Sequence, residues 1–362
     1  MLSFLKARAA PAPSAAGGAQ RHIVLTAPGR SGSTLLQSFF LADCEAVTFF
    51  EPCRFTPEVG GEESLVRERC IAQVRRFLAC DLPAAEGPAG AQRWDPPELK
   101  GWLRHPYRAS NASCALNASL ASVNETRRAC RAAPLVLVKE IRLVGQLRAL
   151  ASAWPAGDAS AAALSVVHLV RDPRSMLASQ KKLGWWRLRE GTPSARLKNL
   201  EYIANRTCVG MLADADAGAE LAKQRGAAAY VRVRFEDLLA DIKGAAAALS
   251  RQLGLPVAPA AAEWLERFTQ GDCDSHTPRP GMTPEQAYQY GTCRDPVAAQ
   301  RAVAGKSWKH GLNPREKRTI LARCDGVLRR FGYLEDQAKA KAKKRLGGGV
   351  WVKWSAHPVV LT

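Results

Sequence analysis

Four short apolar runs are spread along the chain, at residues 22–27, 135–138, 164–170 and 230–235. Each has the length of a β-strand, and continuous apolar runs of this kind are typical of strands that are buried on both faces. We therefore predict that these runs are strands of a parallel sheet.

Segments with apolar residues at helical spacing follow the runs along the chain. We predict helices from residue 35 onward, over 143–153, through 176–177, over 236–253 and over 314–331. Asn313 is a plausible N-cap for the last helix. Because strands and helices alternate, the predicted fold class is α/β, with a parallel sheet flanked by helices. In such sheets ligands bind beyond the carboxyl ends of the strands.

A single folded domain is predicted between two segments of biased composition. Residues 1–20 are mostly Ala, Pro, Gly and Ser, and we expect a flexible N-terminal segment. Residues 21–335 contain every predicted strand and helix. Residues 336–362 form a basic tail that we expect to be disordered, and residues 83–98 are predicted to be a surface loop.

The net charge of the chain is unusually positive, +19 over 362 residues. A basic surface attracts anionic partners. Nucleic acid, an anionic membrane, a nucleotide and an acidic polysaccharide all fit this charge, and the charge alone does not choose among them.

Cysteine and asparagine positions indicate the cellular compartment. The ten cysteines contain no C-x-x-C pair, which argues against zinc ribbons and thioredoxin-type redox sites and leaves either core thiols or several disulfides. Four of the six asparagines head an N-x-[ST] sequence, whereas chance predicts about half a site. These four are Asn111, Asn117, Asn124 and Asn205. Both observations favour a lumenal or secreted domain.

A lumenal protein needs an entry signal, and this sequence offers none that we can identify. No apolar stretch of about 18 residues is present, and the apolar run at the N-terminus is too short for a signal peptide. We therefore expect that the entry signal or membrane anchor is missing from this sequence.

A glycine-containing turn lies between the first strand and the first helix. Its backbone amides and the helix N-terminus form a typical phosphate-binding arrangement. Hydroxyl groups and the positive charge of Arg30 add further donors. The turn lacks the lysine of a Walker A loop, and an ordinary strand-to-helix turn is the alternative. The candidate ligand-binding residues of this turn are Pro28, Gly29, Arg30, Ser31, Gly32, Ser33 and Thr34.

A second candidate site follows the third strand. Arg171 stands at the strand end, and Ser179 falls about two helical turns later. A guanidinium fork and a hydroxyl in this arrangement can hold one phosphate. Asp172 is predicted to cap the following helix, with Pro173 at its first position. For Arg171 the alternative is a surface salt bridge.

Together the two segments resemble the donor-binding motifs of sulfotransferases that use 3′-phosphoadenosine-5′-phosphosulfate (PAPS). The likeness spans about residues 21–335 and is strongest to the Golgi carbohydrate 6-O-sulfotransferases. Its remaining motifs are Phe50-Glu51-Pro52, Lys139-x-x-Arg142, the stretch 233–238, the stretch 290–294, Trp308 and Cys324. The sequence departs from that group at Pro28-Gly29 and in lacking the transmembrane anchor.

The resemblance implies a sulfotransferase fold similar to that of P-loop NTPases, with PAPS as co-substrate and a location in the Golgi lumen. The first turn would hold the 5′-phosphosulfate, and Arg171 with Asp172 and Ser179 would surround the 3′-phosphate. Arg30 is then the candidate that stabilises the departing phosphate. No metal and no nucleic acid is expected, and the expected partner is a glycan acceptor on a proteoglycan or glycoprotein.

The hydroxyl group of the acceptor needs a base. Glu51 is the candidate, because the Phe50-Glu51-Pro52 motif lines the acceptor side in the enzymes it resembles; a solvated loop carboxylate is the alternative. His168 is a weaker candidate, since a mid-strand histidine is more often part of the core. Trp185, Trp186 and Arg187 are candidates for the acceptor groove, with core packing as the alternative.

Three other functions remain open at this stage. A sulfotransferase with a tyrosine or small-molecule acceptor carries the same motifs. A P-loop-type nucleotide kinase needs a lysine where Ser33 stands. A polyanion-binding module without catalytic activity fits the charge alone.

Overall fold

The computed structural model describes residues 20–41, 46–55, 63–82, 123–154, 164–186, 193–257, 259, 261–262 and 307–334. Its strands are β1 Arg21–Thr26, β2 Ala46–Phe50, β3 Leu135–Glu140, β4 Leu164–Val170 and β5 Tyr230–Arg234. Its first helices are α1 Ser33–Leu41, α2 Glu63–Leu78, α3 Val123–Ala132, α4 Leu147–Ser152 and α5 Pro173–Lys182. The later helices are α6 Pro193–Arg225, α7 Phe235–Ala240, α8 Ile242–Leu253, α9 Ser307–Gly311 and α10 Pro314–Arg330.

Within the described residues, the five strands form one parallel sheet in the order β2-β3-β1-β4-β5. The central strand is β1, with Thr26 at its end paired to Glu140 of β3 and to His168 of β4. The carboxyl ends of the strands therefore meet at one edge, and the segments that follow β1, β2, β3 and β4 are neighbours there.

Both faces of the sheet are buried, as the continuous apolar runs predict. Val24, Val136 and Val166 pack on one face in a cluster that includes residues of α2, α4 and α6. Ile23 and Leu137 pack on the other face with residues of α1 and α8. Because successive strand residues point to opposite faces, only a strand covered on both sides reads as apolar throughout. The α/β fold class with a parallel sheet is confirmed.

Several element boundaries differ from the predictions. The predicted helix over 236–253 is two helices, because Asp241 leaves helical geometry and its side chain accepts a hydrogen bond from Gly244 N as the N-cap of α8. The helix predicted over 143–153 begins only at Leu147. The edge strand β2 and the long helix α6 were not predicted. Asn313 caps α10 with a capping box, as predicted.

In the described part of the chain six cysteines form disulfides, so the disulfide alternative holds for them: Cys53–Cys70, Cys80–Cys130 and Cys208–Cys324. Cys44, Cys114, Cys273 and Cys293 lie outside the described residues, as do segments 1–19, 83–122 and 335–362 with Asn111 and Asn117. Asn124 and Asn205 are exposed. No helix in the described part of the chain is long and apolar enough to cross a membrane.

Candidate active site

The turn between β1 and α1 is shaped by two residues with left-handed backbone geometry, Arg30 (φ 74°) and Gly32 (φ 88°). Ser31 N donates to Pro28 O at 3.2 Å, and Leu35 N and Leu36 N both donate to Gly32 O. A helix has no internal acceptors for its first amides, so the N-terminus of α1 presents donors and the positive end of its dipole at this turn. Arg30 is a non-glycine residue in a costly conformation, which is common at binding sites.

The ring of Phe235 leaves no room for a Cβ at Gly32. A methyl group at this position would lie 2.0 Å from Cε2 of Phe235, the first residue after β5. Phe235 also lies under Arg171, whose guanidinium carbon is 4.6 Å from the ring centroid. One aromatic ring therefore supports both the turn and the arginine.

Arg30, Arg171 and Ser179 lie together at this edge of the sheet. Arg171 Nη1 donates to the backbone oxygen of Arg30 at 2.9 Å. Arg30 Nε donates to Ser179 Oγ at 3.2 Å. The two segments that sequence reasoning treated as separate motifs are thus joined by direct hydrogen bonds, and a hydroxyl and two guanidinium groups converge beside the N-terminus of α1.

Asp172 acts as the N-cap of α5, with Pro173 at the first helical position, as predicted. Its carboxylate accepts from Arg174 N at 2.9 Å and forms an ion pair with the Arg174 guanidinium at 2.7 Å. Both oxygens of the carboxylate are engaged by Arg174. The cap and the ion pair therefore account for this side chain without a ligand.

The hydroxyl-bearing residues of the turn are mostly buried. Ser31 is buried, and its hydroxyl contacts Met176 Sδ at 3.5 Å. Ser33 is also buried, whereas Thr34 is half-buried. Of these three residues, Thr34 is therefore the most exposed to solvent.

Glu51 follows β2 and is held by cations on both sides. Its carboxylate accepts from Lys139 Nζ at 2.5 Å and from Arg142 Nη1 at 3.0 Å. Burial alone raises the pKa of Glu51, but the charges and hydrogen bonds of Lys139 and Arg142 outweigh it and hold the pKa below its usual value. Glu51 is therefore not a solvated loop carboxylate; it is an ionised group inside a buried cluster.

Glu140, at the end of β3, organises the backbone around that cluster. It accepts from the backbone amides of Cys53, Ile141 and Arg142 at 2.8 to 3.0 Å, and from the Arg142 guanidinium at 3.2 Å. Complete burial raises the pKa of Glu140, and Arg142 opposes the shift. Its carboxylate lies within 4.8 Å of the Cys53 and Cys70 sulfur atoms, but a disulfide provides no thiolate to bind a metal.

Two residues of the site, Phe235 and Glu236, were missed as functional residues. Glu236 Oε1 accepts from Asp172 N at 3.0 Å and so fixes the backbone just after Arg171. Burial raises the pKa of Glu236, against the charge of Arg171. The stretch 233–238 was recognised in the sequence as a motif, but nothing in its residue types indicated that it packs against the two donor segments.

His168 is a core histidine, which was the expected alternative. It is fully buried in β4, and its Nδ1 lies 2.9 Å from the Tyr230 hydroxyl. Burial, and then the charge of Arg232, lowers the pKa of His168 to about 3. Of the three groove candidates, Trp185 is exposed and Trp186 is buried, while Arg187 lies outside the described residues.

The comparisons with known proteins all point to the same family. The sulfotransferase family profile matches residues 22–259, more than half of the chain. Carbohydrate sulfotransferase 6 of Homo sapiens is 26% identical and the alignment covers 99% of this chain and 94% of that protein. Carbohydrate sulfotransferase 3 of Homo sapiens is 25% identical over 88% of this chain and 68% of that protein. A solved sulfotransferase domain from the curacin biosynthetic pathway aligns over 84% of this chain with 15% identity and a TM-score of 0.43.

Proposed function

Because this chain belongs to the sulfotransferase family, we propose that it transfers a sulfuryl group from PAPS to a hydroxyl of a glycan sugar, at the 6-O position, in the Golgi lumen. The glycan acceptor is suggested by the names of the relatives, which are carbohydrate sulfotransferases. The observation that carries the proposal is the convergence of Arg30, Arg171 and Ser179 beside the N-terminus of α1.

These residues suit a nucleotide that carries phosphate groups at both the 3′ and the 5′ position of its ribose. The α1 amides and Arg30 would hold the 5′-phosphosulfate, where anions bind helix N-termini. Arg171 and Ser179 would hold the 3′-phosphate. Arg171 brings a positive charge to this position, and the Ser179 hydroxyl, which accepts from Arg30, has a proton that it can donate.

PAPS supplies an activated sulfuryl group and leaves as adenosine 3′,5′-bisphosphate. The protein's contribution is positioning and charge stabilisation, by analogy with phosphoryl transfer. Arg30 would neutralise the charge that develops on the departing phosphate. Its backbone oxygen is fixed by Arg171 and its Nε by Ser179, so the guanidinium is preorganised for this role.

Glu51 is our candidate for accepting the proton of the sugar hydroxyl. It stands two strands away from the turn, which at the usual strand spacing is roughly 10 Å and leaves room for an acceptor between the two. Its lowered pKa keeps the carboxylate ionised at neutral pH. The same shift makes it a weak base, so its second contribution is to hold the hydroxyl group in line.

Replacement of Glu51 tests this assignment. We expect Glu51→Gln to lower kcat while the Kd of adenosine 3′,5′-bisphosphate stays unchanged, because the carboxylate does not belong to the donor side. The substitution also leaves Lys139 buried without its partner, so the double variant Glu51→Gln/Lys139→Met serves as the control. Wild-type turnover in both variants would remove Glu51 from the mechanism.

The pH dependence of kcat gives a second check on Glu51. A base must be ionised, and a lowered pKa means that activity is lost only as the pH falls below the usual glutamate value of 4.5. We expect kcat to stay level through that value in the wild type. A loss of activity centred above it would assign the base to another group.

The overall function is tested by sulfate transfer from radiolabelled PAPS to a panel of desulfated glycans. A tyrosine peptide and a small phenol in the same panel test non-sugar acceptors. We expect incorporation into a glycan, and inhibition by adenosine 3′,5′-bisphosphate at much lower concentration than by ATP. Stronger inhibition by ATP would point to a nucleotide kinase, and glycan binding without transfer would point to a polyanion-binding module.

A further inference from the structure

The chain turns sharply at the end of α5, and the two consecutive tryptophans that follow, Trp185 and Trp186, lie in different environments. Trp185 N donates to Gln180 O at 3.1 Å and Gly184 N to Lys181 O at 3.0 Å, with Gly184 in the left-handed conformation that such helix ends require. After this turn Trp186 enters the core with 6% exposure, whereas Trp185 keeps 43% of its surface exposed. An exposed indole beside a binding turn calls for an explanation.

Trp185 is packed against the backbone of the phosphate-binding turn. A Cβ on Gly29 would lie 2.6 Å from Cζ3 of the indole, so the absence of a side chain at Gly29 permits this contact. The same position lies 3.6 Å from Cδ1 of Ile141. Gln180 Nε2 donates to Gly29 O at 2.9 Å and holds the end of α5 on the turn. The indole is therefore fixed in place on one side and open on the other.

The position of Trp185 places it on the acceptor side of the turn. Its neighbour Ile141 follows β3 and directly precedes Arg142, which pairs with Glu51. Arg171 follows β4, on the opposite side of β1. An indole close to Ile141 thus stands towards the segment that carries Glu51, away from the strand end that carries the proposed 3′-phosphate contacts.

We propose that the exposed face of Trp185 is a binding platform for a sugar ring of the acceptor; this inference rests on the proposed glycan sulfotransferase function. One face of a pyranose ring presents mainly C–H groups, which pack on a flat aromatic surface with little conformational entropy to lose. Arg142, itself exposed for 40% of its side chain, offers donors for the hydroxyl groups at the ring edge. The platform would bring the sugar between the turn and Glu51.

Trp185→Ala separates acceptor binding from donor binding. We expect the acceptor KM of Trp185→Ala to rise about tenfold, which corresponds to about 1.4 kcal/mol. The acceptor KM of Trp185→Phe should fall between those of the wild type and Trp185→Ala. The Kd of adenosine 3′,5′-bisphosphate should stay within twofold of the wild type. Calorimetric titration of a desulfated acceptor oligosaccharide into enzyme saturated with this nucleotide gives a readout that does not depend on turnover, and it should show the same loss.

Tyr202→Ala is the matched control, because Tyr202 is an exposed aromatic residue (55%) on α6, outside the site. It should leave both constants unchanged. If Trp185→Ala has the same acceptor KM and the same acceptor Kd as the wild type, the platform is overturned. Weakened nucleotide binding in Trp185→Ala would also overturn it and assign the indole to the donor's adenine. If the wild type sulfates no glycan, the proposed function and this inference both fail.

Discussion

At the scale of single residues, the pKa values of buried carboxylates are shifted in opposite directions by their neighbours. The pKa of Glu51 is lowered because two cations contact it, although burial opposes the shift. The pKa of Asp214 is raised to about 6 by burial, because its partners are the backbone amides of Gly145 and Leu147 and carry no full charge. Neutral donors compensate burial of a carboxylate less than cations do.

Arg171 gives the sharpest residue-scale prediction for donor binding. Loss of a hydrogen bond to a charged group costs about 1.5–3 kcal/mol, so Arg171→Ala should raise the KM for PAPS by one to two orders of magnitude. Arg171→Lys should recover part of the affinity, since lysine restores the charge but not the planar fork.

Adenosine 5′-phosphosulfate, which lacks the 3′-phosphate, is the control ligand for this variant. Its inhibition constant should change little in Arg171→Ala, because the contact that we propose for Arg171 is to the 3′-phosphate. An unchanged KM for PAPS would refute the role of Arg171 in holding that group, and an equal loss for both ligands would indicate a general disruption of the turn.

Asp214 predicts a pH dependence of stability. Its pKa in the folded protein, about 6, exceeds the ordinary value of 3.8, so between these values the folded state binds more protons than the unfolded state. The stabilising contribution is present below pH 4 and is lost as the pH rises through about 6. The free energy of unfolding should therefore fall by about 2 kcal/mol more in the wild type than in Asp214→Asn between pH 4 and pH 7.

Denaturant unfolding at several pH values measures this difference, and only the difference between the two proteins is informative. Other groups, Glu51 among them, titrate in the same range with the opposite sign, and they are common to both proteins. Parallel stability profiles for the wild type and Asp214→Asn would contradict the raised pKa.

At the scale of elements, the site depends on how β5 is placed relative to the turn after β1. Phe235, which follows β5, fills the space beside Gly32 and supports Arg171. Glu236 holds the backbone that follows β4. Three segments distant in the sequence thus fix one surface at this edge of the sheet, and a change in one should affect the other two.

Gly32→Ala tests this arrangement against a matched glycine. Gly226 has a similar left-handed φ of 92°, but a Cβ there has nothing within 4 Å, whereas at Gly32 it meets the Phe235 ring at 2.0 Å. Both substitutions carry backbone strain of about 1–3 kcal/mol. Only Gly32→Ala should also abolish binding of adenosine 3′,5′-bisphosphate, measured by calorimetry.

Addition of Phe235→Ala to Gly32→Ala removes the clash and separates it from strain. Partial recovery of nucleotide binding in the double variant is the expected result. Similar binding in Gly32→Ala and Gly226→Ala would show that the phenyl ring does not restrict the turn.

At the scale of the whole molecule, a disulfide joins parts of the chain that are far apart in sequence. Cys208 in α6 and Cys324 in α10 are separated by 116 residues, and their bond ties the last of the described helices to the longest of them. A crosslink that closes a loop of about 100 residues raises the free energy of the unfolded chain by about 5 kcal/mol in the entropic description. The core around it contains Met211, Ile320 and Leu328.

Cys208→Ala/Cys324→Ala should therefore lower the free energy of unfolding by about 2–5 kcal/mol. Denaturant unfolding without reductant measures the loss. The nucleotide Kd should stay the same at low temperature, because no residue of the turn touches this bond. Cys53→Ala/Cys70→Ala is the comparison. The Cys53–Cys70 disulfide closes a shorter loop, with a sequence separation of 17, so its loss should lower the free energy of unfolding less. Its loss should nevertheless change kcat, since Cys53 N donates to Glu140.

The sequence alone determined the α/β class and the buried parallel strands, and it singled out the two segments that we propose for donor binding. These features depend on local pattern: continuous apolar runs report burial on both faces, and the glycine turn and Asp172-Pro173 report helix starts. Arg30, Arg171 and Ser179 could be named because their residue types at those spacings suit a phosphate. The strand β2 was missed, although it is as long as β5.

Only the tertiary structure decided which groups meet. The strand order places β3 between β1 and β2, and this neighbourhood puts Lys139 and Arg142 on Glu51 and changes its pKa. The same folding brings Phe235 against Gly32 and turns Trp185 outward while Trp186 is buried, although the two are adjacent in the chain. Contacts of this kind join residues tens to hundreds of positions apart, and local periodicity carries no information about them.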